Sequence, residues 1–294
     1  MPEFRLKRIL VPTDTSEASR VSLQYARLFA DRFGAEIGVL YADPIAFPLD
    51  AFAGTTAVYV GSTGEDLALL EQEVRAYADR SLGGKPYQTS VITGQPVPMI
   101  LRHAAEMSCD LIIMATHGLR GWRRTILGSV TEGVLHGAQC PVLSISRTDR
   151  FPRRDEAAIT RIVCPVNFTD VARDSLRTAA SLAEKFAAEL LVIHVIEGEA
   201  ATDQDNEEQR VRRWIAPEMS PRATYRQVVV HGGAAERILD CVEDAEADLL
   251  VIGAQHRILR DTTVIGTTTE RIVRFSRAPV LTVVREVAAV RKVA

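Results

Sequence analysis

Residues 110–146, DLIIMATHGLRGWRRTILGSVTEGVLHGAQCPVLSIS, form the stretch from which the rest of the chain can be interpreted. The stretch opens with the apolar run Leu111–Ala115, which is typical of a buried parallel strand. After a basic loop comes GSVTE at 128–132, whose serine and glutamate have the spacing of a capping box at the start of a helix. A second apolar run at 141–145 closes the unit. The pattern therefore predicts strand, loop, capped helix and strand.

The loop and the helix start have the composition of an anion site. The loop carries a histidine, two glycines and three arginines: His117, Gly118, Arg120, Gly121, Arg123 and Arg124. Glycines and a hydroxyl at a helix N-terminus leave backbone N–H groups available beside the positive end of the helix dipole, which suits a phosphate. An ordinary capped helix after a solvated basic loop explains the same residues without a ligand. Both interpretations are open at this point.

The same unit occurs twice in the chain. Four pairs of landmarks share one offset of 138 residues: Asp110 and Asp248, Gly128 and Gly266, Glu132 and Glu270, Pro141 and Pro279. Earlier in the chain, the strand RILVP at 8–12 returns as RIVCP at 161–165 with an offset of 153. Constant offsets over this many positions predict an internal duplication, with about fifteen additional residues in the first copy, mostly within 43–64.

Each copy alternates strands and helices in the order β-α-β-α-β-α-β-α-β. The strands are apolar throughout, which favours a parallel sheet covered by helices on both faces. In the first copy, residues 65–82 have Leu67, Leu70, Val74 and Tyr77 on one apolar helix face. We therefore predict an α/β fold with two doubly wound, five-stranded domains. The first domain would span 1–147, a charged linker 148–158, and the second domain 159–294.

Composition limits the class of protein. Hydrophobic residues make up 47% of the 294 residues, charged residues make up 25%, and the net charge is −3. These values are typical of a soluble globular protein and give no reason to expect nucleic acid or a membrane surface as a partner. We expect a cytoplasmic protein, because no apolar stretch has the length of a signal peptide or a transmembrane span. The four cysteines have no paired spacing, which favours reduced thiols: Cys109, Cys140, Cys164 and Cys241.

These motifs resemble those of the universal stress proteins, in the tandem form with two family domains in one chain. The resemblance implies a strand order of 3-2-1-4-5 and ATP at the carboxyl ends of strands one and four, where the crevice rule for parallel sheets also places a ligand. It further implies that the final strands pair antiparallel, which would relate the two halves by a pseudo-two-fold axis. The family signature is Gly, two residues, Gly, nine residues, Gly, then Ser or Thr.

The resemblance assigns site residues in the first half. The positions expected to bind the nucleotide are Pro12, Thr13, Asp14, Ala42, Ala115, His117, Gly118, Arg120, Gly128, Ser129, Val130 and Thr131. Asp14 would contact the nucleoside, although capping of the first helix is an alternative role for it. The backbone of Ala42 would contact the base. Ala115 replaces the first signature glycine and adds one methyl group there.

In the second half the same pattern is degraded. Its weaker equivalents are Pro165, Asn167, Val195, Gly253, Gly266 and Thr267. His256 stands where the signature has its second glycine, and Asn167 stands where it has aspartate. An amide accepts a hydrogen bond but carries no charge, so we expect the second half to keep the fold without an intact site.

The resemblance therefore implies an ATP-binding, nucleotide-dependent sensor or regulator of the stress response, with ATP and possible magnesium in the first half. A protein partner and a homodimer of tandem chains are further expectations. Two alternatives remain, a non-nucleotide interaction module of the same fold and a slow ATPase. No spacing indicates a nucleophile with its base, so no catalytic residue is assigned. A zinc site is the less favoured interpretation of three histidines near strand ends, which are His194, His231 and His256.

Overall fold

The computed structural model describes residues 4–44, 64–116, 127–146, 159–198, 204–220, 224–254, 257–259, 262–264 and 266–284. The chain divides into two compact units. One unit comprises Leu6–Val134, and the other comprises Leu135–Ala294 together with Met1–Arg5. In the described ranges, no helix combines the length and apolar character needed to cross a membrane.

The unit Leu6–Val134 alternates strands with helices. In chain order its elements are β1 (Arg8–Thr13), α1 (Glu17–Phe33), β2 (Glu36–Asp43), α2 (Gly64–Leu82), β3 (Tyr87–Thr93), α3 (Pro96–Glu106), β4 (Leu111–Ala115) and the start of α4 (Ser129–Gly137). The strands lie in the order β3-β2-β1-β4 and run parallel. Since parallel neighbours end at the same edge of a sheet, the carboxyl ends of β1 and β4 lie side by side.

Apolar strands and a well-capped helix explain the centre of this unit. The inner residues of β1 and β4 are fully buried, namely Ile9, Leu10, Val11, Leu111, Ile112 and Ile113. The α1 helix begins after Ser16, whose hydroxyl accepts a hydrogen bond from the Ser19 N–H. It ends at Gly34, which adopts the left-handed conformation (φ 71°) that a helix C-terminus favours. Local signals in the sequence thus place α1 directly after the end of β1.

The other unit repeats this plan. Its elements are β5 (Val142–Ile145), β6 (Arg161–Val166), α5 (Asp170–Phe186), β7 (Glu189–Ile196), α6 (Gln204–Ile215), β8 (Tyr225–His231), α7 (Ala234–Asp244), β9 (Leu249–Ala254), β10 (Arg257–Leu259), β11 (Thr262–Val264), α8 (Thr267–Phe275) and β12 (Val280–Val284). The strand order is β5-β12-β9-β6-β7-β8. Strands β8-β7-β6-β9-β12 reproduce the order 3-2-1-4-5, so the α/β fold class expected from the sequence is confirmed.

The last strands of the two sequence repeats pair with each other. Strand β5 runs antiparallel to β12, with Leu143 opposite Leu281 and Ser144 opposite Val280. The Thr282 hydroxyl adds a hydrogen bond to the Val142 carbonyl at 3.0 Å. The antiparallel pairing expected for these strands is confirmed. This pairing also explains why β5 belongs to the same compact unit as the second repeat.

One short element was not expected. Between β9 and Gly266 the structure forms a two-stranded antiparallel hairpin from β10 and β11, which has no place in the β-α-β-α-β-α-β-α-β order expected for each copy. Each strand has three residues, which is too short for an alternation of apolar and polar residues to stand out in the sequence.

Candidate functional site

The turn between β1 and α1 presents Asp14 at the carboxyl edge of the sheet. Pro12 and Thr13 are buried at the end of the strand, and Asp14 is half-buried. One carboxylate oxygen, Oδ1, accepts a hydrogen bond from the Ser16 N–H at 3.1 Å. Thr15 adopts a left-handed conformation with φ 60°. The turn therefore holds a negative charge at the position where the family resemblance implies a nucleoside contact.

Hydroxyl groups meet beneath this turn. Ser19 Oγ belongs to a residue that is only 4% exposed, and it lies 2.9 Å from Thr13 Oγ1 and 2.8 Å from Tyr77 Oη. Tyr77 comes from α2 and also donates to the Ser16 carbonyl at 2.8 Å. Burial raises the pKa of the Tyr77 phenol, so the hydroxyl stays protonated at neutral pH. Sequence analysis assigned Tyr77 to an apolar helix face and missed this role.

The end of β2 forms the next part of the same edge. Ala42 is half-buried and pairs with Ile92 of β3. Burial raises the pKa of neighbouring Tyr41, and the negative charges of Asp43, Asp14 and Glu73 raise it further. The edge near β1 and β2 therefore has an acidic electrostatic environment, which disfavours phosphate there and suits the neutral part of a ligand.

The junction between β4 and α4 is tightly constrained. The Gly128 N–H donates to the Thr116 carbonyl at 2.8 Å, and the Thr131 hydroxyl donates to the Ala115 carbonyl at 2.9 Å. A Cβ added to Gly128 would lie 2.8 Å from the Thr116 oxygen, a contact that real Cβ atoms do not make. These contacts fix the N-terminus of α4 at the end of β4.

The cap of α4 differs from the expected capping box. The Glu132 N–H donates to the Gly128 carbonyl at 2.9 Å, so Gly128 occupies the cap position and Ser129 is the first helical residue. The prediction that Ser129 caps this helix was therefore wrong. The physical reason is the close approach to β4, which only glycine permits. Ser129 is instead exposed and Val130 half-exposed at the positive end of the helix.

Part of the predicted site falls outside the described residues. His117, Gly118 and Arg120 lie there, together with Gly121, Arg123, Arg124 and, in the second half, His256. Their assignment stays a prediction. The structure brings the other first-half residues to a single sheet edge, since Asp14, Ala42 and Ala115 end adjacent parallel strands.

The second-half equivalents form a different turn. Pro165 is buried at the end of β6, and Asn167 is exposed. The Thr169 hydroxyl donates to Asn167 Oδ1 at 2.7 Å and also caps α5 by accepting from the Ala172 N–H. Phe168 is left-handed (φ 62°), as Thr15 is in the first half. The turn keeps its backbone shape but has an uncharged side chain in place of the aspartate.

The second junction between strand and helix is also looser. The Thr269 hydroxyl lies 3.4 Å from the Gly253 carbonyl, compared with 2.9 Å for the equivalent pair in the first half. Gly266 caps α8, yet a Cβ added there would meet nothing within 4 Å. A Cβ on Gly253 would instead lie 2.8 Å from the Val171 carbonyl of α5. Thr267 is exposed, and Val195 is half-buried in β7.

Aromatic and charged side chains pack together at this second edge. The ring of Phe168 lies 4.6 Å from that of His194 and 5.8 Å, edge to face, from that of Trp214. The Arg210 guanidinium lies 4.0 Å over the Phe168 ring. His194 is buried, with Nδ1 2.8 Å from the Val166 carbonyl and Nε2 3.3 Å from Glu207. Both ring nitrogens are therefore already engaged.

In the part of the chain that the structure describes, no assembled set of metal ligands supports the zinc interpretation. Within those ranges no three His, Cys, Asp or Glu side chains group closely enough to hold a metal ion. His194 bonds to protein atoms, and His231 is exposed at the end of β8. Burial raises the pKa of the Cys164 thiol to about 12 and that of Cys241 to about 11, so neither is a thiolate at neutral pH.

Comparisons with known proteins give one consistent family. The model of the universal stress protein family matches residues 5–146 and again 158–284. A universal stress protein of Methanocaldococcus jannaschii is 32% identical over 148 residues, which cover 48% of this chain and 82% of that relative. One of Mycobacterium tuberculosis strain H37Rv is 23% identical over 262 residues, covering 83% of this chain and 85% of the relative. The crystal structure of a universal stress protein from Archaeoglobus fulgidus superposes with a TM-score of 0.75 at 24% identity, covering 97% of this chain and 100% of that chain.

Proposed function

We propose a function for this chain on the basis that it belongs to the universal stress protein family, as a tandem of two family domains. Its first half binds ATP, and the bound nucleotide regulates the protein's association with a partner. The proposal extends to magnesium bound with the triphosphate and to pairing of two tandem chains. Turnover is not part of the proposed role, because regulation by occupancy requires binding alone.

The observation that carries the proposal is the fixed position of the α4 N-terminus. Gly128 and Thr131 hold this helix start against the carboxyl end of β4 through two backbone carbonyls. The neighbouring parallel strand β1 ends at the same edge and presents Asp14. A helix N-terminus favours phosphate, and a carboxylate accepts hydrogen bonds from ribose hydroxyls. The two groups thus match the two polar ends of a nucleoside phosphate.

The two ends of the site differ in electrostatic potential, and this difference favours one orientation of the bound nucleotide. Asp14, Asp43 and Glu73 make the β1–β2 end acidic, and their negative charges add to burial in raising the pKa of Tyr41. The α4 end offers backbone N–H groups and a positive helix dipole. We therefore place the nucleoside beside Asp14 and Ala42, and the phosphates beside Ser129, Val130 and Thr131.

A matched pair of glycine variants tests this proposal. Gly128→Ala places a Cβ against the Thr116 carbonyl, whereas Gly266→Ala, at the equivalent cap of the second half, places it in open space. We expect Gly128→Ala to weaken ATP binding by about tenfold or more, because the helix start must shift away from its strand. Gly266→Ala should bind ATP as the wild type does. Isothermal titration calorimetry with ATP and magnesium measures both, and circular dichroism confirms folding.

Stoichiometry supplies the control for the assignment to one half. Native mass spectrometry of the full chain should count one ATP per chain. Equal losses in the two glycine variants, or two ATP molecules per chain, would contradict a site confined to the first half. Absence of ATP binding by the wild type would instead favour the non-nucleotide interaction module, for which the engaged Asn167 side chain is the specific observation.

A further inference from the structure

The hydroxyl groups of Thr13, Ser19 and Tyr77 beneath the Asp14 turn form one connected hydrogen-bond network, the hydroxyl network. Each hydroxyl has one proton to donate. The Tyr77 proton goes to the Ser16 carbonyl, which has none of its own. Ser19 Oγ lies 2.8 Å from Tyr77 Oη and 2.9 Å from Thr13 Oγ1, and it is also 3.0 Å from the Ser16 carbonyl. Ser19 therefore connects the other two hydroxyls to one another and to that carbonyl. Thr13 Oγ1 in turn accepts from the Thr15 N–H at 3.0 Å.

Both ends of the hydroxyl network lie on the turn that carries Asp14. The network begins at the Thr15 N–H and ends at the Ser16 carbonyl, and these two groups flank a single peptide group. Thr15 has a β-branched side chain in the left-handed conformation, which is unfavourable and persists only where the surroundings impose it. The adjacent Ser16 N–H donates to Asp14 Oδ1 and so orients the carboxylate. The hydroxyl network therefore stabilises the conformation of this turn and, through it, the orientation of the Asp14 carboxylate.

The second half lacks the side chains needed to form the same hydroxyl network. At the constant offset of 153 residues, Val166 replaces Thr13 and Ala172 replaces Ser19, and neither has a hydroxyl. The turn there is held by the Thr169 hydroxyl, which donates to the Asn167 side chain itself. The hydroxyl network is present in the first half, where the turn carries Asp14. Two of its hydroxyls are missing in the second half, where the turn carries the uncharged Asn167.

We propose that Tyr77 of α2 is a positioning residue for the nucleotide site and that it acts through Ser19 and Thr13 to orient Asp14 toward the ribose. This inference rests on the proposed function, since it concerns the same site. It assigns α2 a part in ligand affinity, although Tyr77 itself acts on the Asp14 turn and not on the ligand.

The test compares two tyrosine-to-phenylalanine variants of the full chain. Tyr77→Phe keeps the buried ring and removes its hydroxyl from the hydroxyl network. Tyr87→Phe is the matched control, because the Tyr87 hydroxyl contacts Arg75 and Asp79 of α2 on an exposed surface, outside that network. Both variants are titrated by calorimetry with ATP and magnesium, and separately with inorganic tripolyphosphate, which lacks the ribose.

We expect Tyr77→Phe to raise the ATP Kd about fivefold, the effect of one hydrogen bond, and to leave the tripolyphosphate Kd unchanged. Tyr87→Phe should change neither value. An ATP Kd equal to the wild type in Tyr77→Phe would overturn the positioning role and leave the proposed function intact. An equal loss for both ligands would overturn it as well, since that result indicates general loosening of the unit. No ATP binding by the wild type would overturn both proposals.

Discussion

At the scale of single residues, charge distinguishes the two copies after their first strands. Asp14 accepts a backbone N–H from Ser16, and Asn167 accepts the Thr169 hydroxyl. Hydrogen bonds to an ionised acceptor are roughly twice as strong as those between neutral groups. Asp14 is therefore a stronger acceptor for a ligand hydroxyl than Asn167 is.

This difference leads to a prediction for Asp14→Asn. We expect the ATP Kd to rise about tenfold, because the ribose loses a charged acceptor. Thermal stability should hardly change, since the amide oxygen can still accept from the Ser16 N–H. Asp31→Asn is the control, because Asp31 forms exposed ion pairs with Arg27 and Lys85 away from this turn. Calorimetric titration of both variants decides the point, and unchanged affinity in Asp14→Asn would place the ribose elsewhere.

Sequence reasoning reached some of these residues and missed others for a physical reason. Asp14, Gly128 and Thr131 stand next to strand and helix ends, where local patterns are informative. Ser19 and Tyr77 lie 58 positions apart along the chain and meet only because α2 packs on α1. The capping box was predicted one residue too late, because sequence alone cannot show that Gly128 contacts Thr116.

At the scale of elements, a buried carboxylate ties the segment after α6 to α5. Glu218 ends a single 3-10 turn, Ala216–Glu218, and its side chain is only 5% exposed. Arg173 and Arg177, one turn apart on α5, each donate to it at 2.6 Å. Burial alone would raise the pKa of Glu218, but the hydrogen bonds from the two arginines outweigh it and lower the pKa below 4.5.

The lowered pKa predicts acid-dependent stability for this contact. A carboxyl group with a lower pKa in the folded state stabilises the protein above its unfolded value near 4.5, and this contribution is lost as the pH falls through the folded pKa. At pH 7, Glu218→Gln should lower the free energy of unfolding by about 2 kcal/mol, since it removes the buried carboxylate charge that Arg173 and Arg177 share. Urea unfolding followed by tryptophan fluorescence reports it, because Trp214 packs on Arg173.

The control for this contact is Glu246→Gln. Glu246 forms an exposed pair with Arg161, so its loss should cost less than about 0.5 kcal/mol. The difference in unfolding free energy between the wild type and Glu218→Gln should shrink below pH 4.5. A difference that stays constant down to pH 3 would contradict the ionic origin of the effect.

The elements themselves were largely readable from the sequence. Long apolar runs such as Leu111–Ala115 and the capping residues before α1 fall where strands and helices begin. The hairpin of β10 and β11 was missed because each strand is three residues long. The interaction of Glu218 with α5 was also beyond sequence reasoning, since it joins residues more than 40 positions apart.

At the scale of the whole molecule, the duplication places an antiparallel partner beside β5. The backbone edge of this strand bonds to β12, with Leu143 opposite Leu281 and Thr282 opposite Val142. An unprotected strand edge is a template for pairing with another chain. A fragment of residues 1–147 would keep β5 and lose β12. Two identical strands can pair antiparallel about a two-fold axis, so a second copy of β5 can replace the missing partner.

We therefore expect the 1–147 fragment to form a dimer. Light scattering after size exclusion should give about twice the fragment mass, in line with closed two-fold pairing. Ser144→Pro in the fragment is the matched variant, because proline removes a backbone donor from the strand and disfavours edge pairing. That variant should remain monomeric with an unchanged circular dichroism spectrum. A folded wild-type fragment that stays monomeric at micromolar concentration would show that the β5 edge does not by itself drive association, and that the pairing with β12 depends on both repeats being in one chain.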